Sequence, residues 1–119
     1  YRIIKGSRIK LASMPSYPKE RIESLISMDA VSGSILLSKV ITSLSKEPLY
    51  GSILQSIKRG QKSEIDYING EIVRLSRICR LSAPLNEKIV QLVHQVENSG
   101  FFLTKEELSS AIKSSREIR

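Results

Sequence analysis

Tryptophan is absent from the sequence, phenylalanine occurs twice, and cysteine and histidine occur once each. A lone Cys79 excludes an internal disulfide and a thiolate cluster, and His94 has no histidine or cysteine companion with which to hold a metal. The expected metal is therefore none, and the expected compartment is the cytoplasm, since nothing in the cysteine usage asks for an oxidising one. Cys79 falls on the apolar face of a candidate helix and reads as a small packed hydrophobe, and His94 as a satisfied or exposed side chain. Long apolar runs are missing too. The longest strongly apolar stretch, 35–37, is far too short to cross a bilayer, which predicts a soluble domain with no membrane partner. The glycines, at 6, 33, 51, 60, 70 and 100, never form G-x-G-x-x-G or a phosphate loop. The chain thus has no dinucleotide or nucleoside-triphosphate site of its own. No serine stands with a histidine and an acid in an arrangement for acyl transfer.

What is present begins with size and charge. The 119 residues suit one domain, 1–119, and are too few for a cofactor domain and a substrate domain together. The charged opening stretch 1–10, which starts at Tyr1, is neither a signal-peptide core nor a clean domain start, so an excised domain is expected. Nineteen lysines and arginines against twelve acids give a net charge of +7, which raises polyanion binding as a function class. The basic residues are spread over 2–10, Lys58, Arg59 and Lys62, Arg74, Arg77 and Arg80, and the tail, with glutamates between them. Such spreading describes solvated helix faces and argues against nucleic acid as a partner.

Apolar spacing predicts an all-α fold, a bundle of about five or six helices, because helical side chains return to one face every three or four residues. The clearest case is 64–80, where Ile65, Ile68, Ile72, Leu75 and Cys79 form one stripe. Asn69-Gly70 is a hairpin dipeptide, but helical periodicity runs through it and outweighs that signal. A glycine inside a helix costs roughly 1 kcal/mol relative to alanine, so Gly70 suggests close approach by another helix or a ligand. Pro84 ends the preceding segment, Asn86 is placed as the cap of the next helix, and Ile89, Leu92, Val93 and Val96 supply its buried face. Thr104 with Glu107 makes a capping box for a last helix running towards Ser115, with Leu108 and Ile112 as its apolar anchors. That helix is expected to fray or to pack against something outside the chain. Earlier, Pro15 and Pro18 precede a helix over 19–28. A second, over 32–44, carries apolar residues on more than one face and is expected to be central, with Pro48 closing it. A short helix with Ile53, Leu54 and Ile57 ends at Gly60. The expected core is Ile65, Ile68, Ile72, Leu75, Ile89, Leu92 and Val93.

Residue types alone stop at a helical domain; one segment leads further. Gly51-Ser52-Ile53-Leu54-Gln55-Ser56-Ile57, then Arg59-Gly60, then Ser63-Glu64-Ile65-Asp66-Tyr67-Ile68-Asn69-Gly70-Glu71 resembles the signature stretch of ketopantoate reductases. That stretch reads roughly S-M-L-Q-D, a basic and glycine pair, and T-E-I-D-x-x-N-G. Ala83-Pro84-Leu85-Asn86-Glu87 is similar to the family's T-P-x-N-E turn, and the resemblance covers 52–97. It implies a C-terminal substrate-binding domain with the 6-phosphogluconate dehydrogenase C-terminal-like helical fold. The activity implied is NADPH-dependent reduction of ketopantoate to pantoate, in pantothenate biosynthesis. The implied partners are an N-terminal Rossmann domain that binds most of the NADPH, a small 2-oxo acid, and a second copy in a homo-oligomer such as a dimer. By the same resemblance Ser52 contacts substrate, and Glu64 is an active-site carboxylate near the cofactor and a general-acid lysine. Lys39 does not match that lysine, because Ser43 and Glu47 stand where asparagines would follow it. The catalytic lysine helix is thus expected outside this chain, together with the Rossmann half, and the chain alone is expected to be inactive.

Each residue also has a plainer reading. A serine at a helix N-terminus places a hydroxyl and free amides where the helix dipole favours a carboxylate, and it also suits an N-cap. Glu64 also reads as a first-turn carboxylate, Asp66 as a helix-start charge and Asn69 as a buried hydrogen-bonding side chain. Ser56 replaces the family's acidic residue, which leaves the 2-oxo acid open. On a continuous helix Ser52 and Glu64 would stand about 18 Å apart, so either the chain bends near Gly60 or each meets a different part of substrate and cofactor. The competing function is a helical dimerisation or interaction module that uses the stripe over 65–79 and has no catalytic role.

Overall fold

The computed structural model describes residues 1–15, 18–44 and 50–117. Among them lie seven helices: α1 (Arg2–Gly6), α2 (Lys19–Ser27), α3 (Ala30–Leu44), α4 (Ser52–Lys58), α5 (Ile65–Ile78), α6 (Pro84–Ser99) and α7 (Lys105–Glu117). No strand occurs among the described residues, in agreement with the all-α expectation. The helix count exceeds the expected five or six because α1, five residues long, lacks a full apolar period and escapes a periodicity argument. No helix among the described residues is long and apolar enough to cross a membrane. Within the span expected to be one domain, packing gathers the described residues into two compact units, one within 8–49 plus Tyr1 and the other made of 2–7 with 50–117.

In the first unit α2 follows Pro18, and Asp29 caps α3 by accepting from the amides of Val31 at 2.9 Å and Ser32 at 3.0 Å. The Ser32 hydrogen bonds hold the Asp29 carboxyl below its ordinary pKa. The cap starts α3 two residues before the expected Ser32. Gly33 is buried, and a Cβ there would lie 3.7 Å from Leu25 Cδ1, so the glycine lets α3 approach α2 closely. The expectation of a two-sided central helix does not hold for α3. Val31, Ile35, Leu37 and Ile41 are exposed, Val31 at 68%, because α2 offers it one short partner. Glu47 and Pro48 lie outside the described residues.

The second unit is organised by α5 and α6, an antiparallel pair on which α7 and α1 pack. Its buried apolar residues are Ile65, Val73, Leu75, Ala83, Leu92 and Val96. Of the expected core, Ile65, Leu75 and Leu92 are buried and Ile72, Ile89 and Val93 are half-buried, while Ile68 is 50% exposed. Ile68 shares a flank with Leu75 and Cys79, and the short α1 covers that flank at its Cys79 end, where Cys79 Sγ meets the Ile3 carbonyl at 3.7 Å. A Cβ on Gly6 would stand 3.3 Å from Cys79 Cβ, so the cysteine packs as expected. Of the stripe over 65–79, Ile65 and Leu75 are spent inside the unit, while Ile68 stays open.

Helix ends follow local chemistry. Pro84 is the first residue of α6, where its missing amide hydrogen is no loss, and Asn86 sits one turn in instead of capping. Gly100 ends α6 at φ 73, its amide donating to the Val96 carbonyl at 2.8 Å. The capping box is present: the Thr104 amide donates to Glu107 Oε2 at 2.8 Å and the Glu107 amide to Thr104 Oγ1 at 3.2 Å. The last helix packs on α6, with Ser115 buried and Ile112 half-buried.

Candidate functional site

Helix α4 stops in a left-handed turn. Gly60 has φ 68, its amide donates to the Ile57 carbonyl at 2.9 Å, and the Gln61 amide donates to the Ser56 carbonyl at 3.0 Å. This pair of bonds satisfies two carbonyls at the helix end and sends the chain away from the axis of α4. The bend resolves the separation problem. The Ser52 hydroxyl donates a hydrogen bond to Glu64 Oε1, joining residues twelve positions apart in the chain.

Neither side chain makes a capping hydrogen bond. Gly51 holds the N-cap position of α4, and Ser52 is its first helical residue, so its hydroxyl is spent on Glu64 and not on a backbone amide. Glu64 occupies the N-cap position of α5 without a capping bond from its side chain. Donation by Ser52 is the main reason the Glu64 carboxyl lies below the ordinary glutamate pKa. Ser52 is exposed and Glu64 half-buried, which leaves the pair open to solvent.

The surrounding residues divide between structure and solvent. Asp66 stands in the first turn of α5, and its Oδ2 lies 3.1 Å from His94 Nε2, so the histidine is satisfied. Asn69 Nδ2 donates to Asn86 Oδ1 at 2.9 Å in a partly buried link between α5 and α6. Lys58 lies over the Tyr50 ring at 4.3 Å, while Arg59 and Lys62 are exposed. A Cβ at Gly70 would first meet Asp66 at 3.5 Å in its own helix, so its nearest neighbours are not on another helix. The glycine instead borders an open cleft of about 410 Å³ with Val73, Arg77 and Gln91.

Three features went unnoticed in the sequence. Glu97 Oε1 accepts from the Ser63 amide at 2.8 Å and from the Ser63 hydroxyl at 2.6 Å. Asn86 is the partner of Asn69. Between α4, α6 and the start of α7 runs an apolar groove of about 260 Å³ lined by Ile53, Ile57, Val93 and Phe102. An antiparallel register was the signal available for the first: three residues forward from Ser63 is Asp66, three back from Glu97 is His94, and both pairs meet.

A family model described as "Ketopantoate reductase PanE/ApbA C terminal" matches residues 20–97. The 2-dehydropantoate 2-reductase of Pyrococcus horikoshii is 45% identical over 51 residues, covering 43% of this chain and 17% of that protein. The 2-dehydropantoate 2-reductase of Pyrococcus abyssi is 54% identical over 37 residues, covering 31% of this chain and 12% of that protein. The match therefore spans less than a fifth of each relative's length. No solved structure matches the chain.

Proposed function

Because the chain belongs to the family of ketopantoate reductase C-terminal domains, we propose that residues 1–119 are the substrate-binding domain of a cytoplasmic, NADPH-dependent 2-oxo acid reductase acting on 2-dehydropantoate. In this reading Ser52 binds substrate and Glu64 is the active-site carboxylate. A separate N-terminal Rossmann domain completes the enzyme, the working form is a homo-oligomer, and the chain alone is inactive. The observation that carries the reading is the contact between Ser52 and Glu64, which brings the two halves of the signature segment to one open place. The residues of this chain do not suit a dinucleotide: the described part is helical, and no glycine-rich strand-to-helix turn occurs in the sequence. NADPH is accordingly assigned to the partner domain.

The chain's own residues have a definite division of labour in this reading. An ionised Glu64 attracts a cation, such as the ammonium of a general-acid lysine, and fixes its direction. While Ser52 donates to Glu64 its proton is unavailable to an anionic substrate. In this reading the Ser52 hydroxyl turns from Glu64 to donate to a 2-oxo acid carboxylate when substrate binds. Steady-state kinetics of the reductase carrying this chain test both roles. Ser52→Ala should raise KM for 2-dehydropantoate roughly twofold to tenfold, as expected for a hydrogen bond of about 0.5–1.5 kcal/mol. Glu64→Gln should lower kcat by more than Ser52→Ala does. Wild-type kinetics in both folded variants would leave only shared helical architecture and replace the enzymatic reading with that of an interaction module.

A further inference from the structure

The backbone of Glu64 is held on both sides. After it comes Ile65, 1% exposed and the most buried large side chain of the unit. Before it comes Ser63, whose amide and hydroxyl both donate to Glu97 Oε1, at 2.8 and 2.6 Å. The Ser63 hydroxyl oxygen also lies 3.4 Å from the Ile65 amide, at the limit of a hydrogen bond. Glu97 belongs to the last turn of α6, where the dipole of its own helix disfavours a carboxylate. Its placement is explained by what it reaches, Ser63 just before α5, at the end of that helix where the dipole favours negative charge. Donation by Ser63, first through the hydroxyl and then through the amide, keeps Glu97 below the ordinary glutamate pKa, with smaller contributions from His94 and Lys62.

We infer that Glu97 is a positioning residue for the candidate site: by holding Ser63 it fixes the backbone from which the Glu64 side chain reaches Ser52. Its consequence for turnover rests on the proposed catalytic role of Glu64, whereas its consequence for geometry does not. The turn from Gly60 to Glu64 has no helix of its own to stiffen it, and Ser63 is the residue of that turn tied to α6. Releasing the tie leaves Glu64 free to leave Ser52, and a displacement of about 1 Å is enough to cost a catalytic group on the order of a hundredfold in rate.

The test follows the Glu64 carboxyl by carbon NMR titration in this chain, assigned by loss of its signal in Glu64→Gln. Charge and position predict opposite signs. Removing the neighbouring negative charge of Glu97 by itself makes Glu64 easier to ionise, so its titration would move down. Losing the Ser52 hydrogen bond moves it up. In Glu97→Ala, with circular dichroism unchanged, Glu64 should titrate higher than in the wild type. Glu97→Gln, which keeps an acceptor oxygen for Ser63, should not show the rise, and Ser63→Ala, which keeps only the amide bond, should show a smaller one. In the reductase carrying this chain, Glu97→Ala should lower kcat about tenfold to a hundredfold with Glu97→Gln restoring most of it. A folded Glu97→Ala whose Glu64 titrates at or below the wild-type value overturns the inference. If Glu97→Ala does not fold, an unmoved Glu64 in Ser63→Ala overturns it. A raised Glu64 with unchanged kcat supports the positioning and counts against a catalytic role for Glu64.

Discussion

Ser52 and Glu64 show how one hydrogen bond links a motif to a titration. The serine hydroxyl is the leading cause of the lowered Glu64 pKa, so Ser52→Ala should raise the carboxyl towards the ordinary glutamate value of about 4.3. Carbon NMR titration reads this directly. The stability consequence has a fixed sign. A carboxyl whose folded pKa is depressed contributes stability that is fully present above its unfolded value and is lost as pH falls through the folded one. The stability gap between wild type and Ser52→Ala should therefore narrow on acidification below about pH 4, measured by urea denaturation at several pH values. A gap that widens at low pH would show that Ser52 stabilises by some route other than the ionised Glu64.

At the scale of helices, the ends carry the testable chemistry. Both α5 and α6 stop with a residue in the left-handed region, but α6 uses Gly100 at φ 73 while α5 uses Arg80 at φ 53. Around Arg80 the closing bonds repeat those at Gly60, with the Leu81 amide donating to the Ser76 carbonyl at 2.8 Å and the Arg80 amide to the Arg77 carbonyl at 3.2 Å. A Cβ in this conformation costs roughly 1–2 kcal/mol, partly offset in glycine by its greater unfolded-state freedom. Arg80→Gly should accordingly raise stability by up to about 1 kcal/mol and Gly100→Ala should lower it by a similar amount, both read from thermal or urea denaturation. At the start of α7, Thr104→Ala removes the hydroxyl that accepts the Glu107 amide, and should cost about 1 kcal/mol. It also removes one of the two Thr104 hydrogen bonds that hold Glu107 below its ordinary pKa, so Glu107 should titrate higher in that variant.

For the molecule as a whole, exposed apolar surface is the dominant feature of the 8–49 unit. Val31 and Ile35 lie on one side of α3 and Leu37 and Ile41 on another, and all four remain open, exposed apolar surface of the kind that marks an interaction face. The chain should self-associate with rising concentration, seen as an increasing weight-average mass in sedimentation, and Ile35→Lys with Ile41→Lys should abolish it. A wild-type chain that stays monomeric at high concentration would remove the apolar face of α3 as a docking surface. The same exposure bears on the proposed function, since a substrate domain separated from a cofactor domain exposes the surface that the two shared.

Helical class, most helix positions, the Thr104 and Glu107 box and the Gly60 stop were legible in the sequence, because each is set within a few residues by periodicity, capping or backbone conformation. The resemblance that picked out Ser52 and Glu64 was equally local, a run of residue types at fixed spacing. Everything that depended on which helix lies beside which was not. Ile68 satisfied the stripe and is half exposed because α1 covers only the far end of its flank, and α3 had the composition of a central helix without the neighbours to make it one. Asn86 looked like a cap until Asn69 proved to be its partner. Glu97 carried no local signal at all, since its meaning lies thirty-four residues away at Ser63. The meeting of Ser52 with Glu64 belongs with these cases. Gly60 was readable as a stop, but the direction in which the chain leaves a stop is set by what its next helix packs against, and for α5 that is α6.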